Sequence, residues 1–401
     1  MAVIKSPITF YKKVTVWRDW IFAKIEYLNS ESQKWKTAFN IAKSPYSLLR
    51  ACGFSPQMAI GLLAIGGTAG TGVVVNETVL ADRSFSNGDS GIYAAPAQNP
   101  DPTLEQLSSN VYAYVQLDGS WGLNNTGFIV GKNGITVIDT CFTEKRTKAF
   151  IESITKVSNL PIRTLVNTHQ HGDHTNGNYQ LPNATIIGHE LCRKEMLEVN
   201  VPTVNPNPMY SGVEWGDLTL SPPFVTFEKD LTLYSDNTKI ELHYMGPAHT
   251  TNDVIAWIPE QSILFSGDLL FNGGTPFVMM GSVEGSLRSL TQLKKFPSQT
   301  IVPGHGRICD SQVIQDMENY LKFIQHIAKD GFSKGLSPLE TALSTDLDTF
   351  SEWHDKERIV GNLHRAYSEL KGEELGSKID IKSAVSDMLT YNGGKTVRCI
   401  A

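Results

Sequence analysis

The sequence predicts an α/β (α+β) protein in which helices cover β-sheets, preceded by an N-terminal segment of different character. Three observations carry this. From about Leu104 onward, short runs with strand alternation are interleaved with longer runs of helical period. Several neighbouring strands are separated by only a few residues, so antiparallel hairpins occur among them. The 401 residues are 41% hydrophobic and 19% charged, an ordinary balance for a chain long enough to bury a sizeable core.

Taken in order, Val111–Gln116 alternates as a strand and is followed by strands at Thr126–Val130 and Thr136–Ile138. Thr147–Val157 reads as a helix, Arg163–Asn167 as a strand, and Ala184–Gly188 as a strand leading into a helix through Met196. Strands are then expected at Val225–Phe227, Leu231–Tyr234, Ile240–Tyr244, Val254–Ile258 and Ile263–Ser266. A helix near Leu287–Lys294, a strand at Thr300–Val302 and helices at Asp310–Lys329, Pro338–Leu343 and Glu357–Leu370 complete the pattern. Strands mixed with helices in this way suggest sheets covered by helices.

Three regions are expected: residues 1–102, a regular α/β domain over 103–375, and a tail over 376–401. Residues 1–57 hold nine Lys or Arg and three Asp or Glu, a sum of +6, which leaves -12 for the remainder of a chain whose net charge is -6. A basic head on an acidic body suggests parts with different tasks. The head is rich in aromatics, among them Trp17, Trp20 and Trp35. Met58–Val75 carries no charge over 18 residues, the lower bound for a membrane span. Five of those residues are glycine, which weakens a helix, so a packed or flexible glycine-rich segment is the first reading and a membrane anchor the second. Ser84–Pro102 reads as a linker. Cys52, Cys141, Cys192, Cys309 and Cys399 are odd in number and form no CxxC pair, so no disulfide framework is expected. The compartment stays open between the cytoplasm and a membrane-anchored position facing outside. The acidic body argues against a nucleic-acid partner.

The chemistry is concentrated in Thr168-His169-Gln170-His171-Gly172-Asp173-His174, directly after a strand. Imidazole and carboxylate are common zinc donors, and a loop at a strand end can turn all four side chains to one point. Gly246-Pro247-Ala248-His249, Ser266-Gly267-Asp268 and Pro303-Gly304-His305 follow, each setting a ligand-type residue at an expected strand end beside glycine or proline.

This order of motifs resembles the metallo-β-lactamase superfamily, over residues about 104–372. Asp139 matches its first motif, His169, His171, Asp173 and His174 the second, His249 the third, Asp268 the fourth and His305 the fifth. The resemblance implies a four-layer αβ/βα sandwich with two metal ions at one edge. It assigns His169, His171 and His249 to one ion, Asp173, His174 and His305 to the other, and Asp268 to both. Asp139 would orient a ligand histidine or its loop. Two zinc ions per chain are expected, with iron or manganese fitting the same donors.

The activity expected is hydrolysis of a small molecule by a hydroxide shared between the metals, with Asp173 and Asp268 as the catalytic carboxylates. By the same resemblance, an aspartate at Asp268 is kept by thioesterases and lactonases and points away from β-lactamases. An ester, thioester or lactone is therefore the first substrate class and a β-lactam the second. A protein of another kind, a domain displayed on a membrane or multi-subunit assembly through residues 1–100, is the non-catalytic alternative. His189, His243, His326, His354 and His364 read as structural, the last three on helices, and Cys141 as a buried thiol rather than a ligand. Asn252, Asp253 and the stretch Phe271–Gly281 are expected beside the metal-binding residues.

Overall fold

The computed structural model describes residues 101–401. The expectations for the basic head, the Met58–Val75 stretch and nearly all of the linker lie outside the described residues. Among the described residues, no helix is long and apolar enough to cross a membrane.

The first sheet runs β1 (Thr103–Gln106), β2 (Val111–Val115), β3 (Thr126–Val130), β4 (Ile135–Ile138), β5 (Ile162–Val166), β6 (Thr185–His189) and β7 (Val225–Phe227), in that spatial order. β1 to β4 are antiparallel neighbours and β4 to β7 are parallel ones. The crossovers between parallel strands carry α1 (Glu144–Val157) and α3 (Glu190–Val199). The second sheet has the order β12 (Thr300–Gly306), β11 (Ile263–Asn272), β10 (Val254–Ile258), β9 (Thr238–Tyr244), β8 (Asp230–Ser235).

The period of two along β2 explains the layering. Val111, Ala113 and Val115 share a core cluster with Ile240, Leu242, Val254 and Phe265 of the second sheet. Tyr112 and Tyr114 face the other way, into a cluster with Phe150 and Ile154 of α1. Each such buried side chain stabilises the fold by about 1.5–3 kcal/mol. On the far side of the second sheet, α4 (Val283–Leu293) and α5 (Gln312–Ser333) pack against β11. Helix, sheet, sheet and helix form the four layers expected. α5 buries Val313, Met317, Tyr320, Leu321 and Ile324 at a spacing of three or four, the stripe of an amphipathic helix.

Several boundaries differ from the expectation for physical reasons. β11 does not end at Ser266 but continues to Asn272, and β12 continues through Gly306. The Gly-Asp pair resembles a loop, yet β11 absorbs it as an irregularity in its pairing with β12 on either side of Gly267, whose φ is 52°. Asp268 and His305 therefore lie within strands rather than beyond their ends. β1 was not expected; its sequence TLEQ has little strand character, and it is held as an edge strand by pairing with β2. His354 pairs in a short bridge with Gly274, not on a helix. Residues 376–401, expected as a tail, contain α8 (Ile381–Tyr391), which packs against α7 (Arg358–Leu370) and buries Ala384, Val385 and Met388. The segment beyond it is tied back by Val397 N donating to Met209 O at 3.0 Å and by Arg146 Nη2 donating to Ile400 O at 2.8 Å.

Candidate metal centre

All seven expected ligand residues converge beyond the end of β5, at the middle of β11, near the end of β12 and on the loop between β9 and β10. β5 delivers Asn167–His171, and a single turn, α2 (Gly172–Thr175), carries Asp173 and His174. His249 lies on a loop braced by Asp253, which accepts from Thr250 N at 2.9 Å, Thr250 Oγ1 at 2.7 Å and Ala248 N at 3.2 Å. Asn252 Oδ1 accepts from Gln170 N at 3.1 Å and joins that loop to the first cluster.

Four of the five imidazoles are held by one nitrogen and present the other to a common centre. His174 Nδ1 donates to Asp139 Oδ2 at 2.8 Å, and His305 Nδ1 to Gly119 O at 3.0 Å. His249 Nδ1 donates to Phe277 O. Thr168 Oγ1 gives its proton to Asp139 Oδ2 at 2.7 Å, so it accepts from His169 Nδ1 at 3.1 Å. Each Nε2 is thereby turned inward, to where a metal would be held. His171 differs: its Nδ1 stands 2.8 Å from His249 Nε2, and its Nε2 is 3.3 Å from Met280 Sδ.

Asp268 sits between two groups of donors. His169, His171, His249 and Asp268 form one set with ligand atoms within 4.8 Å of one another, and Asp173, His174 and His305 form a second. Asp268 Oδ2 is 3.2 Å from His249 Nε2 and 3.4 Å from His305 Nε2, while Oδ1 is 3.0 Å from His174 Nε2. Asp173 Oδ2 is 3.2 Å from His305 Nε2. Gly304 makes room for this carboxylate: a Cβ there would stand 2.8 Å from the Asp268 backbone nitrogen and closer still to Oδ1.

The chemistry of the donor set fits a cation. His169 Nε2, His174 Nε2 and Asp268 Oδ1 are buried with no hydrogen-bond partner, a costly condition for so many polar atoms in one place. Burial, reinforced by neighbouring imidazoles, holds His169 well below the usual range and His249 at about 3, so both are neutral donors. Burial also opposes charge on His174 and His305, but Asp268 and its neighbouring carboxylates outweigh it. They keep His174 well above its usual value and His305 at about 9. A bound cation would take the place of those protons.

The other residues singled out in the sequence lie elsewhere. His189 caps α3, accepting from Leu191 N at 3.2 Å, and stacks on Tyr244 at 4.1 Å between ring centroids. His243 pairs with Asp230 at 2.7 Å and His364 with Asp387 at 2.8 Å. His326 is on the exposed side of α5. Cys141 is buried, which pushes its thiol up to about 12. The stretch Phe271–Gly281 does border the cluster: Phe271 stacks on His305 at 5.1 Å, and Phe277 and Met280 reach His249 and His171. Sequence reasoning missed Trp121, Tyr210, Arg358 and α8, which line the adjoining cavity of about 190 Å³. They come from distant stretches of chain and carry no local motif.

A four-layer sandwich with a buried His–Asp cluster at the strand ends defines a metal-dependent hydrolase. The chain matches the family model of the metallo-β-lactamase superfamily over residues 119–305. Its curated relatives include the "Metallo-beta-lactamase type 2" proteins of Bacteroides fragilis, 26% identical over 57% of this chain and 89% of the relative, and of Elizabethkingia meningoseptica, 24% identical over 57% and 88%. Solved structures similar to it include a metallo-β-lactamase from Pontibacter korlensis, with a TM-score of 0.47 and 21% identity over 55% of this chain and 99% of that one. Another is the DIM-1 metallo-β-lactamase, with a TM-score of 0.45 and 21% identity over 56% and 98%.

Proposed function

We propose that this chain is a dinuclear zinc hydrolase acting on an ester, thioester or lactone. The observation that carries the reading is the position of Asp268, whose two oxygens face both groups of donors at 3.0–3.4 Å. In this reading His169, His171 and His249 hold one ion, Asp173, His174 and His305 the other, and Asp268 serves both. Zinc ions bound there would lower the pKa of water from about 15.7 to about 7 and supply a shared hydroxide at neutral pH. Iron or manganese would suit the same donors.

The chain's own residues have distinct tasks. Asp139 holds His174 and, through Thr168, His169, so one carboxylate orients a histidine from each set. Asp173 is the more open of the two cluster carboxylates, with 15% of its side chain exposed against 3% for Asp268. It would take up the proton released on attack. Phe271 and Phe277 keep bulk water from the buried side of the cluster.

β-Lactam hydrolysis is the second reading, favoured by the names of relatives 24–26% identical to this chain. The test is elemental analysis of the purified protein followed by a panel of esters, thioesters, lactones and β-lactams. Two zinc ions per chain and a preference for the first three classes are expected. A preference for β-lactams would overturn the substrate assignment. A chain that stays metal-free after incubation with zinc would overturn the hydrolase and leave residues 1–100 displaying an inert domain.

A further inference from the structure

The cavity beside the cluster has two unlike parts. His171, Asp173, His249, Asp268 and His305 stand on one side. Met196, Val201, Met209, Phe277, Met279 and Val385 form the apolar part of the wall, none more than 6% exposed, beside polar residues that include Asn200, Asn205 and Ser221. Val199 and Ile381 also line it and are 43% and 38% exposed, so the apolar lining continues from the carboxylates to solvent. Three of the six apolar wall residues are methionine, whose unbranched side chain adapts to flexible ligands.

The same lining is poor in usable positive charge. Among the described residues around the cavity, Arg358 is the one lysine or arginine. Its Nη2 pairs with Asp355 at 3.0 Å and its Nη1 donates to Thr275 O at 2.9 Å. The guanidinium lies 4.1 Å from the centroid of Trp121, itself fixed by donating from Nε1 to Glu357 at 2.6 Å. Only Nε lacks a partner, and it is buried. A guanidinium already neutralised by Asp355 and laid against the Trp121 ring is a poor counter-ion for a desolvated carboxylate or phosphate.

We propose that the substrate is an uncharged carbonyl compound carrying a flexible alkyl chain, seated along Met209, Phe277 and Val385 with its carbonyl at the His–Asp cluster. This rests on the ester, thioester or lactone reading and narrows it. Each methylene moved from water into such a wall is worth about a fourfold gain in binding or in kcat/KM.

The experiment uses the full chain loaded with zinc. Its substrates are 4-nitrophenyl esters from acetate to dodecanoate, with a matched series ending in a carboxylate. We expect kcat/KM to rise about three- to fourfold per methylene over the first several carbons. The terminal carboxylate should lower it at least about tenfold at equal length. Val385→Trp should cut the decanoate-to-acetate ratio about tenfold or more. Primary alkyl amides of the same lengths, titrated against tryptophan fluorescence, give a readout independent of turnover. Chain-length-dependent amide binding with no turnover of any ester, thioester or lactone overturns the hydrolytic reading and leaves the pocket assignment standing. A flat chain-length profile in both turnover and binding, or no penalty for the terminal carboxylate, overturns the pocket assignment itself.

Discussion

Asp139 Oδ2 accepts from His174 Nδ1 at 2.8 Å, and the same carboxylate receives Thr168 N at 2.8 Å and Thr168 Oγ1 at 2.7 Å. The residue adopts a φ of 59°, a left-handed conformation that aspartate tolerates better than most. That turn, at the end of β4, aims the side chain under the β5 loop. Replacing Asp139 by Asn or Ala should weaken metal binding about 10- to 100-fold, because the imidazoles lose the acceptors that orient them. Competition with a chromogenic chelator measures this; unchanged affinity would remove Asp139 from the site's support.

Asp268→Ala removes the carboxylate that lies within 3.4 Å of histidines from both donor groups. The variant should lose most of its activity, about 100-fold or more, with one ion per chain instead of two. Near wild-type turnover would sink the bridged arrangement.

Gly304→Ala places a methyl against the Asp268 carboxylate and backbone. The strand can yield only by moving that carboxylate, so activity should fall with Asp268, while overpacking costs about 1–3 kcal/mol of stability. Paired measurements of thermal unfolding and metal content separate the two effects. Full metal content and activity would mean that the cluster tolerates the shift.

Removing the metals by chelation should lower the melting temperature as well as abolish activity, since a ligand held only by the folded state adds about 2.7 kcal/mol at 100 times its Kd. Restored zinc should recover both. Loss of activity with an unchanged melting curve would mean that the ions contribute nothing to holding the seven side chains together.

A pH-dependent term is expected away from the cluster. Burial pushes the Asp118 carboxyl up, but hydrogen bonds from Ser120 and Arg398 outweigh it and hold it at about 2. A depressed folded-state value stabilises the protein above the unfolded value near 4, and that contribution is lost as pH falls from about 4 to about 2. Both partners of the 2.8 Å Arg398–Asp118 pair are more than 40% exposed, so the effect is at most about 1 kcal/mol. Asp118→Asn should therefore be slightly less stable than wild type at pH 7, and the gap should close towards pH 2. A gap that persists at pH 2 would assign the loss to packing.

The sequence by itself pointed to the seven candidate ligands and to the alternation of strands and helices. Donor type and close spacing make His169-x-His171-x-Asp173-His174 legible, because one loop supplies four donors wherever the chain goes next. Period two in β2 and period 3.6 in α5 are equally local, since each records which side of an element faces apolar neighbours. The continuation of β11 through Gly267 to Asn272 was not local: it depends on β12 lying alongside, and a Gly-Asp pair read alone resembles a loop. The same holds for β1, for the bridge at His354 and for α8, whose place is set by α7 and the cavity wall. Tertiary structure alone brought Asp268 between the two histidine groups and set Arg358 against Trp121. These contacts span 19 to 237 positions of chain and are decided by how the sheets pack rather than by neighbours in sequence.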